Sequence, residues 1–166
     1  MLLIVFCLFH RHKTLQTSGY VNLSGIMPSV VNKEFKDSTD LNILWEVSET
    51  DETIKKYQEQ VIKQVIKYGN KYECMQSLNM GFTDSFNIQS YKPKGGYKAW
   101  HFERSQNTQE RVFAFMTYLT TKAKKGDTVI WPTEWTHTHK SQVSKKHEKY
   151  IATGWLELKK EEIRTE

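Results

Sequence analysis

Cysteine is nearly absent from this chain of 166 residues: Cys7 and Cys74 stand far apart and match neither a metal-binding nor a redox spacing. A disulfide framework is excluded, and a reducing compartment is the expected setting. Long apolar runs are missing too. The opening stretch "MLLIVFCLF" is too short to span a bilayer, which needs ~20 residues. It also lacks the basic start and small-residue cleavage site of a secretory signal, and it reads as a buried helix piece ending near Lys13. A cytoplasmic protein with no membrane partner is expected. No internal repeat and no low-complexity linker divides the sequence, so residues 1–166 read as a single domain.

Basic runs are also short. Residues 1–83 carry nine basic and nine acidic residues, whereas residues 84–166 carry fifteen and ten, so the whole excess of +5 lies in the second half. Without a continuous basic arm this reads as lysine-rich surface, and nucleic acid is not expected as a partner. Aromatic residues, by contrast, are plentiful at 13%, with five Trp. Each buries a large area, which argues for a folded core.

The two halves differ in pattern. Between Asp51 and Tyr68, apolar side chains recur at Ile54, Tyr57, Val61, Val65 and Tyr68, the spacing of an amphipathic helix. Thr50 or Ser48 is the expected cap, and Gly69-Asn70 the expected end. The segment before it, through "KDSTDLNI", reads as irregular chain with short extended pieces. Residues 1–83 thus form a helical and irregular support. From residue 84 to 160 the texture is strands: "FNIQSY", "YKAWHFE", "RVFAFMTYL", "TVIWP" and "KYIATGWLEL", separated by turns such as "KPKGG" and "KKGD". Strands without interleaved helices indicate an antiparallel sheet. The expected class is mostly β (α+β), a jelly roll or double-stranded β-helix with N-terminal helices packed on one sheet.

Metal-ligating side chains concentrate in two places, His101-Phe102-Glu103 and "WTHTHK" with His137 and His139. On a strand, residues two apart share a face, so each pair converges on one space. Two histidines and a carboxylate on such strands can form the facial triad of a non-haem Fe(II) centre. HxE and HxH are weak signals alone, and strand parity leaves His137 and His139 both open.

Read together, "IQSYKPKGGYKAWHFE", "RVFAFMTYL" and "KKGDTVIWPTEWTHTHKSQVSKKHEKYIATGW" resemble the catalytic core of the prolyl 4-hydroxylase-like Fe(II)/2-oxoglutarate dioxygenases, especially versions carried by marine phages. The resemblance runs from about Phe86 to Leu158, and "FKDSTDL" upstream also fits. It implies that His101, Glu103 and His139 are the iron ligands, His139 being favoured because Lys149 follows it by ten residues. It further implies that Lys149 anchors the distal carboxylate of 2-oxoglutarate, that the Tyr91 hydroxyl reaches the same cosubstrate, and that Trp155 lines the neighbourhood. The implied activity is hydroxylation of an aliphatic carbon, in a prolyl or other peptidyl residue or a small molecule. Its cofactors are Fe(II) and 2-oxoglutarate, with O2 as co-reactant and ascorbate as an optional reductant. If the chain is phage-encoded, its location is the host cytoplasm. Arg104 and Arg111 suit either solvent or an anionic substrate, and nothing in the sequence sets the oligomeric state.

Two features depart from the family pattern. Glu103 stands where most such hydroxylases carry Asp, one methylene longer. After Leu119 the chain passes through "TTKA" directly to "KKGD", about one strand and loop short. That shortening supports a second reading, a non-catalytic jelly-roll binding protein or metal-binding relic that lost the cosubstrate pocket. A cupin-like metal enzyme such as an isomerase is a third, needing neither 2-oxoglutarate nor Lys149.

Overall fold

The computed structural model describes residues 16–18, 20–21, 30–120 and 125–160. The expected helix piece at residues 1–13 lies outside them. The strands, in chain order, are β1 (Gln16–Ser18), β2 (Tyr20–Val21), β3 (Val30–Val31), β4 (Lys36–Leu44), β5 (Met80–Phe82), β6 (Ser85–Tyr91), β7 (Gly96–Tyr97), β8 (Arg111–Tyr118), β9 (Thr128–Pro132) and β10 (Lys149–Leu158). The helix α1 (Glu52–Lys71) separates β4 from β5. All pairings are antiparallel, and the main sheet runs β1-β4-β6-β10-β8-β9, with β5 alongside β10 and β7 alongside β4. The sheet curls into a half-barrel of jelly-roll type.

Alternation along the central strand explains the two faces. On β10, Ala152, Gly154 and Leu156 are buried, whereas Lys149, Thr153 and Trp155 are half-buried on the other side. The buried face meets α1. Leu41, Ile43, Trp45, Phe86, Ile88 and Phe115 pack there with Ile54 and Val61 of the helix. Full burial of such side chains stabilises by ~1.5–3 kcal/mol each before entropy is counted. Trp45 stacks on Phe86 with ring centroids 4.3 Å apart. Gly154 is required by close approach, because a Cβ there would meet the Phe115 ring at 2.6 Å.

The helix fills the expected span with different ends. Asp51 is the cap, accepting from the N–H groups of Thr53 at 2.8 Å and Ile54 at 3.3 Å. Its short carboxylate reaches the first-turn donors that Ser48 and Thr50, which belong to the preceding 3-10 turn and its end, cannot. Gly69-Asn70 does not stop the helix, which continues to Lys71 and closes with the Tyr72 N–H on the carbonyls of Tyr68 and Gly69.

Two strands depart from expectation. "KDSTDLNIL", read as irregular, is the nine-residue β4, because β1, β6 and β7 all pair with it and supply the order its polar first half does not advertise. "YKAWHFE" is not a continuous strand. After Gly96–Tyr97 the N–H groups of Lys98 and Ala99 both turn to the Phe35 carbonyl, and only His101 re-enters β pairing. Among the described residues, the layer opposite the main sheet consists of β7, a single bridge between His101 and His139, and flanking loops, and is thin. β8 and β9 form a hairpin, pairing Phe113 to Thr117 with Thr128 to Pro132, and Gly126, with φ 90°, donates its N–H to the Tyr118 carbonyl at 2.7 Å just before β9. Among the described residues β9 ends the sheet, with Val129 exposed.

Candidate metal centre and its cavity

The half-barrel encloses an open cavity of about 1120 Å³ between the concave sheet face and the thin opposite layer. Its floor is the inward-facing row of β10: Lys149, Ile151, Thr153 and Trp155. Asn87, Gln89 and Tyr91 continue it on β6.

His101 and His139 are joined by backbone before any ligand is considered. The His101 N–H donates to the His139 carbonyl at 2.9 Å, and the reverse bond is 2.8 Å. Glu103 approaches from the following bend, its own N–H on the Thr133 carbonyl at 3.2 Å. Its Oε1 lies 3.2 Å from His139 Nε2 and 3.7 Å from His101 Nε2. One donor atom from each of the three residues falls within 4.8 Å of the others. The second oxygen, Oε2, accepts the indole N–H of Trp155 at 2.9 Å.

Both imidazoles are oriented by backbone. His101 Nδ1 sits 3.1 Å from the Ala99 carbonyl, and His139 Nδ1 sits 2.9 Å from the His137 carbonyl. A carbonyl only accepts, so Nδ1 is the donor in each of these contacts, and Nε2 is the ring nitrogen turned towards Glu103, donating to it where the ring is protonated and able to ligate a metal where the ring is neutral. Tyr97 stacks on His101 at 3.5 Å, and Trp131 meets His139 edge-on at 5.2 Å. This is a donor set that fits a divalent metal: two imidazole nitrogens and a carboxylate oxygen, with the remaining side open to the cavity.

Protonation follows the same contacts. Burial alone would raise the Glu103 carboxyl, but the contacts from His139 and Trp155 and the nearby imidazoles outweigh it and hold the group below the usual carboxylate range. Contact with Glu103 raises His139 above the ordinary imidazole value against the effect of burial. Burial lowers His101. Tyr97 is pushed up to about 12 by burial, then by the Glu103 charge.

His137 is not brought to the cluster. It closes the 3-10 turn Trp135–His137, is exposed, and its ring meets Thr136 Oγ1 at 3.0 Å. The turn breaks the strand alternation that left it equivalent to His139.

Lys149 stands at the far end of the β10 floor, its Nζ 4.7 Å from the centre of the Tyr91 ring. Burial lowers its pKa, and no carboxylate among the described residues pairs with it. Tyr91 is buried, and its hydroxyl donates to Gln89 Oε1 at 2.6 Å. The Gln89 amide donates in turn to Asp40 Oδ2 at 3.1 Å, and Asp40 also holds Lys36 at 2.6 Å. Asp40 therefore fixes which way the Gln89 amide faces, and the Tyr91 proton is held by Gln89. Neither Gln89 nor Asp40 was singled out from the sequence, where a part-buried polar pair on separate strands leaves no local signal. Arg104 pairs with Glu134; Arg111 lies over the Trp155 ring at 3.8 Å.

No family model matches the chain, and no curated protein matches it in sequence. Solved structures to which it is similar include two prolyl hydroxylases. One is the viral collagen prolyl hydroxylase vCPH from Paramecium bursaria Chlorella virus-1, determined as a 2OG complex: 17% identity over 75% of this chain and 80% of that one, TM-score 0.55. The other is a Pseudomonas putida prolyl-4-hydroxylase: 12% identity over 96% of this chain and 85% of that one, TM-score 0.61. At such identities the shared property is the fold.

Proposed function

We propose that the protein is an Fe(II)- and 2-oxoglutarate-dependent dioxygenase that hydroxylates an aliphatic carbon. The observation that carries this reading is the convergence of His101, Glu103 and His139, with both Nδ1 atoms tied to carbonyls and both Nε2 atoms turned towards the same Glu103 carboxylate. The fold shared with two prolyl hydroxylases supports it. When bound, Fe(II) with 2-oxoglutarate and O2 supplies oxidative decarboxylation to succinate and CO2, coupled to insertion of one oxygen atom into a C–H bond.

The chain's own contribution is binding and orientation. Glu103 would offset part of the metal charge through Oε1, and Trp155 orients the longer carboxylate by donating to Oε2. Lys149, cationic and without a protein counter-ion among the described residues, suits the distal carboxylate of 2-oxoglutarate. Tyr91 supplies the wall beneath it, its hydroxyl oxygen able to accept while its O–H donates to Gln89 Oε1. Tyr97 covers one face of the His101 ring, and Trp131 meets the His139 ring edge-on. A peptidyl or small-molecule substrate would enter by the open side of the cavity.

The second reading, a metal-binding relic, is favoured by the thin opposite layer and the β8–β9 hairpin. Anaerobic titration of the Fe(II)-loaded protein with 2-oxoglutarate decides between them. A weak visible charge-transfer band in wild type, absent in His139→Ala, is the expected result. Folded wild-type protein without the band overturns the dioxygenase reading.

A further inference from the structure

The excess of positive charge is not spread over the surface. Two segments, residues 92–98 and 140–148, hold Lys92, Lys94, Lys98, Lys140, Lys145 and Lys146 against one carboxylate, Glu148, a net +5 that equals the formal charge of the whole chain. Folding sets the two segments side by side. The Lys94 N–H donates to the Ser144 carbonyl and the Ser141 N–H to the Tyr97 carbonyl, each at 2.7 Å. Gly96 permits this approach, because a Cβ there would meet Val143 at 3.0 Å and Ser141 at 3.2 Å. The turn that supports Lys98 adds lysines and carboxylates in equal number, Lys33 and Lys36 with Glu34 and Asp37. Lys140, Ser144 and His147 line the cavity, so the lysine-bearing wall borders it.

None of the six ammonium groups has a carboxylate partner among the described residues. Five are exposed, and the half-buried Lys98 donates to the Lys33 carbonyl at 3.0 Å. Glu148 is engaged elsewhere, accepting from Ser90 Oγ at 3.2 Å and from the Tyr150 hydroxyl at 3.0 Å. Nor does the backbone call for lysine: Lys94 sits at φ 69°, a conformation that favours glycine or asparagine. Like charges gathered without counter-charges repel one another, and an anionic partner relieves that repulsion.

We infer that this wall docks an acidic segment of a protein partner, seated across the two loops beside the cavity. Single-stranded nucleic acid is held by bare aromatic faces as well as by charge. The exposed ring next to these lysines, Trp100, has Lys140 Nζ over it, 4.8 Å from its centre, and so extends the cationic surface. Neither segment contains an arginine, the side chain suited to bidentate phosphate contact. In the dioxygenase reading the docked segment flanks the hydroxylated residue, whereas the docking itself requires neither iron nor turnover.

Fluorescence anisotropy on metal-free protein tests this, with fluorescein-labelled Glu-Ala-Glu-Ala-Glu-Ala-Glu, its Gln counterpart, and an oligouridylate of the same net charge as probes. At low salt the Glu peptide should bind about tenfold more tightly than the Gln peptide, and physiological ionic strength should weaken it several-fold. Lys94→Glu, Lys145→Glu and Lys146→Glu combined should abolish the preference, and Lys→Gln changes at the same three positions should lose part of it. Lys55→Glu, Lys63→Glu and Lys67→Glu combined make the same charge change on the exposed face of α1 and should leave binding within about twofold of wild type. Thermal melts confirm that each variant is folded. Equal binding of the Glu and Gln peptides, including none at all, overturns the surface. So does a preference that survives the loop changes, an equal loss in the α1 variant, which makes net charge alone responsible, or tighter binding of the oligouridylate, which makes the wall a nucleic-acid face. Absence of the charge-transfer band overturns the dioxygenase reading alone and leaves acidic docking standing.

Discussion

His101 and His139 exchange both backbone hydrogen bonds, at 2.9 and 2.8 Å, although 38 positions separate them. This pairing holds two ligands of the candidate centre together without metal. The site is pre-formed by main chain, and its side chains have only to present Nε2.

That arrangement distinguishes the two histidines of "HTH". His139→Ala should weaken Mn(II) or Zn(II) binding by more than about a hundredfold, since a direct ligand matters more than its hydrogen-bond partner. His137→Ala should leave affinity within about twofold. Competition against a chromophoric chelator reads both.

Trp155 reaches Glu103 through a single indole N–H. Trp155→Phe keeps the ring and removes the donor to Oε2, and metal affinity should fall about 10- to 100-fold while the melt stays cooperative. An unchanged affinity would mean that Glu103 needs no such support.

Lys149 is a desolvated ammonium with no counter-ion among the described residues. Lys149→Met should abolish 2-oxoglutarate binding, retain metal binding, and leave the melting temperature equal or higher, because an unpaired charge leaves a partly dry site. Calorimetry with 2-oxoglutarate and a thermal melt on one sample check both halves. A variant that loses metal as well would place Lys149 in the fold's support.

Proton linkage should have opposite signs with and without metal. In the metal-free protein the folded pKa of His139 is raised, so its contribution is complete below the ordinary value of about 6.5 and is lost as pH rises through the folded pKa. Glu103, held low, loses its contribution only as pH falls below about 4.5, through its folded pKa. His101, lowered by burial, opposes His139 below about 6.5, where stability rises with pH. Above that value the melting temperature in EDTA should therefore fall, and His139→Gln should flatten the decline. With saturating Zn(II) the temperature should rise with pH across neutrality, since metal requires both rings neutral. Parallel curves with and without metal would contradict the site.

The core has its own sensitive point. Gly154→Ala sets a methyl against Phe115 at 2.6 Å, and overpacking of this kind destabilises by about 1–3 kcal/mol. Urea unfolding should show that loss. Phe115→Leu in the same chain should restore part of it.

Local chemistry was legible where period and composition agree. Alternation marks β6, apolar aromatic and β-branched composition marks β8, helical spacing marks α1, and the residue types at His101, Glu103 and His139 mark a metal-ligating set. β4 was hidden because its first half is polar and is ordered by three partner strands and the Lys36–Asp40 pair, none of them sequence neighbours. The sequence by itself determined which side chains are available and which strands have a buried face, because both follow from residue type and a period of two or 3.6. Only the tertiary structure decided which histidine of "HTH" faces Glu103, which partner holds the Tyr91 proton, and that two lysine-bearing segments form one wall. Those outcomes depend on a 3-10 turn, a distant carboxylate and two hydrogen bonds between loops, and each is set by contacts between segments far apart in the chain.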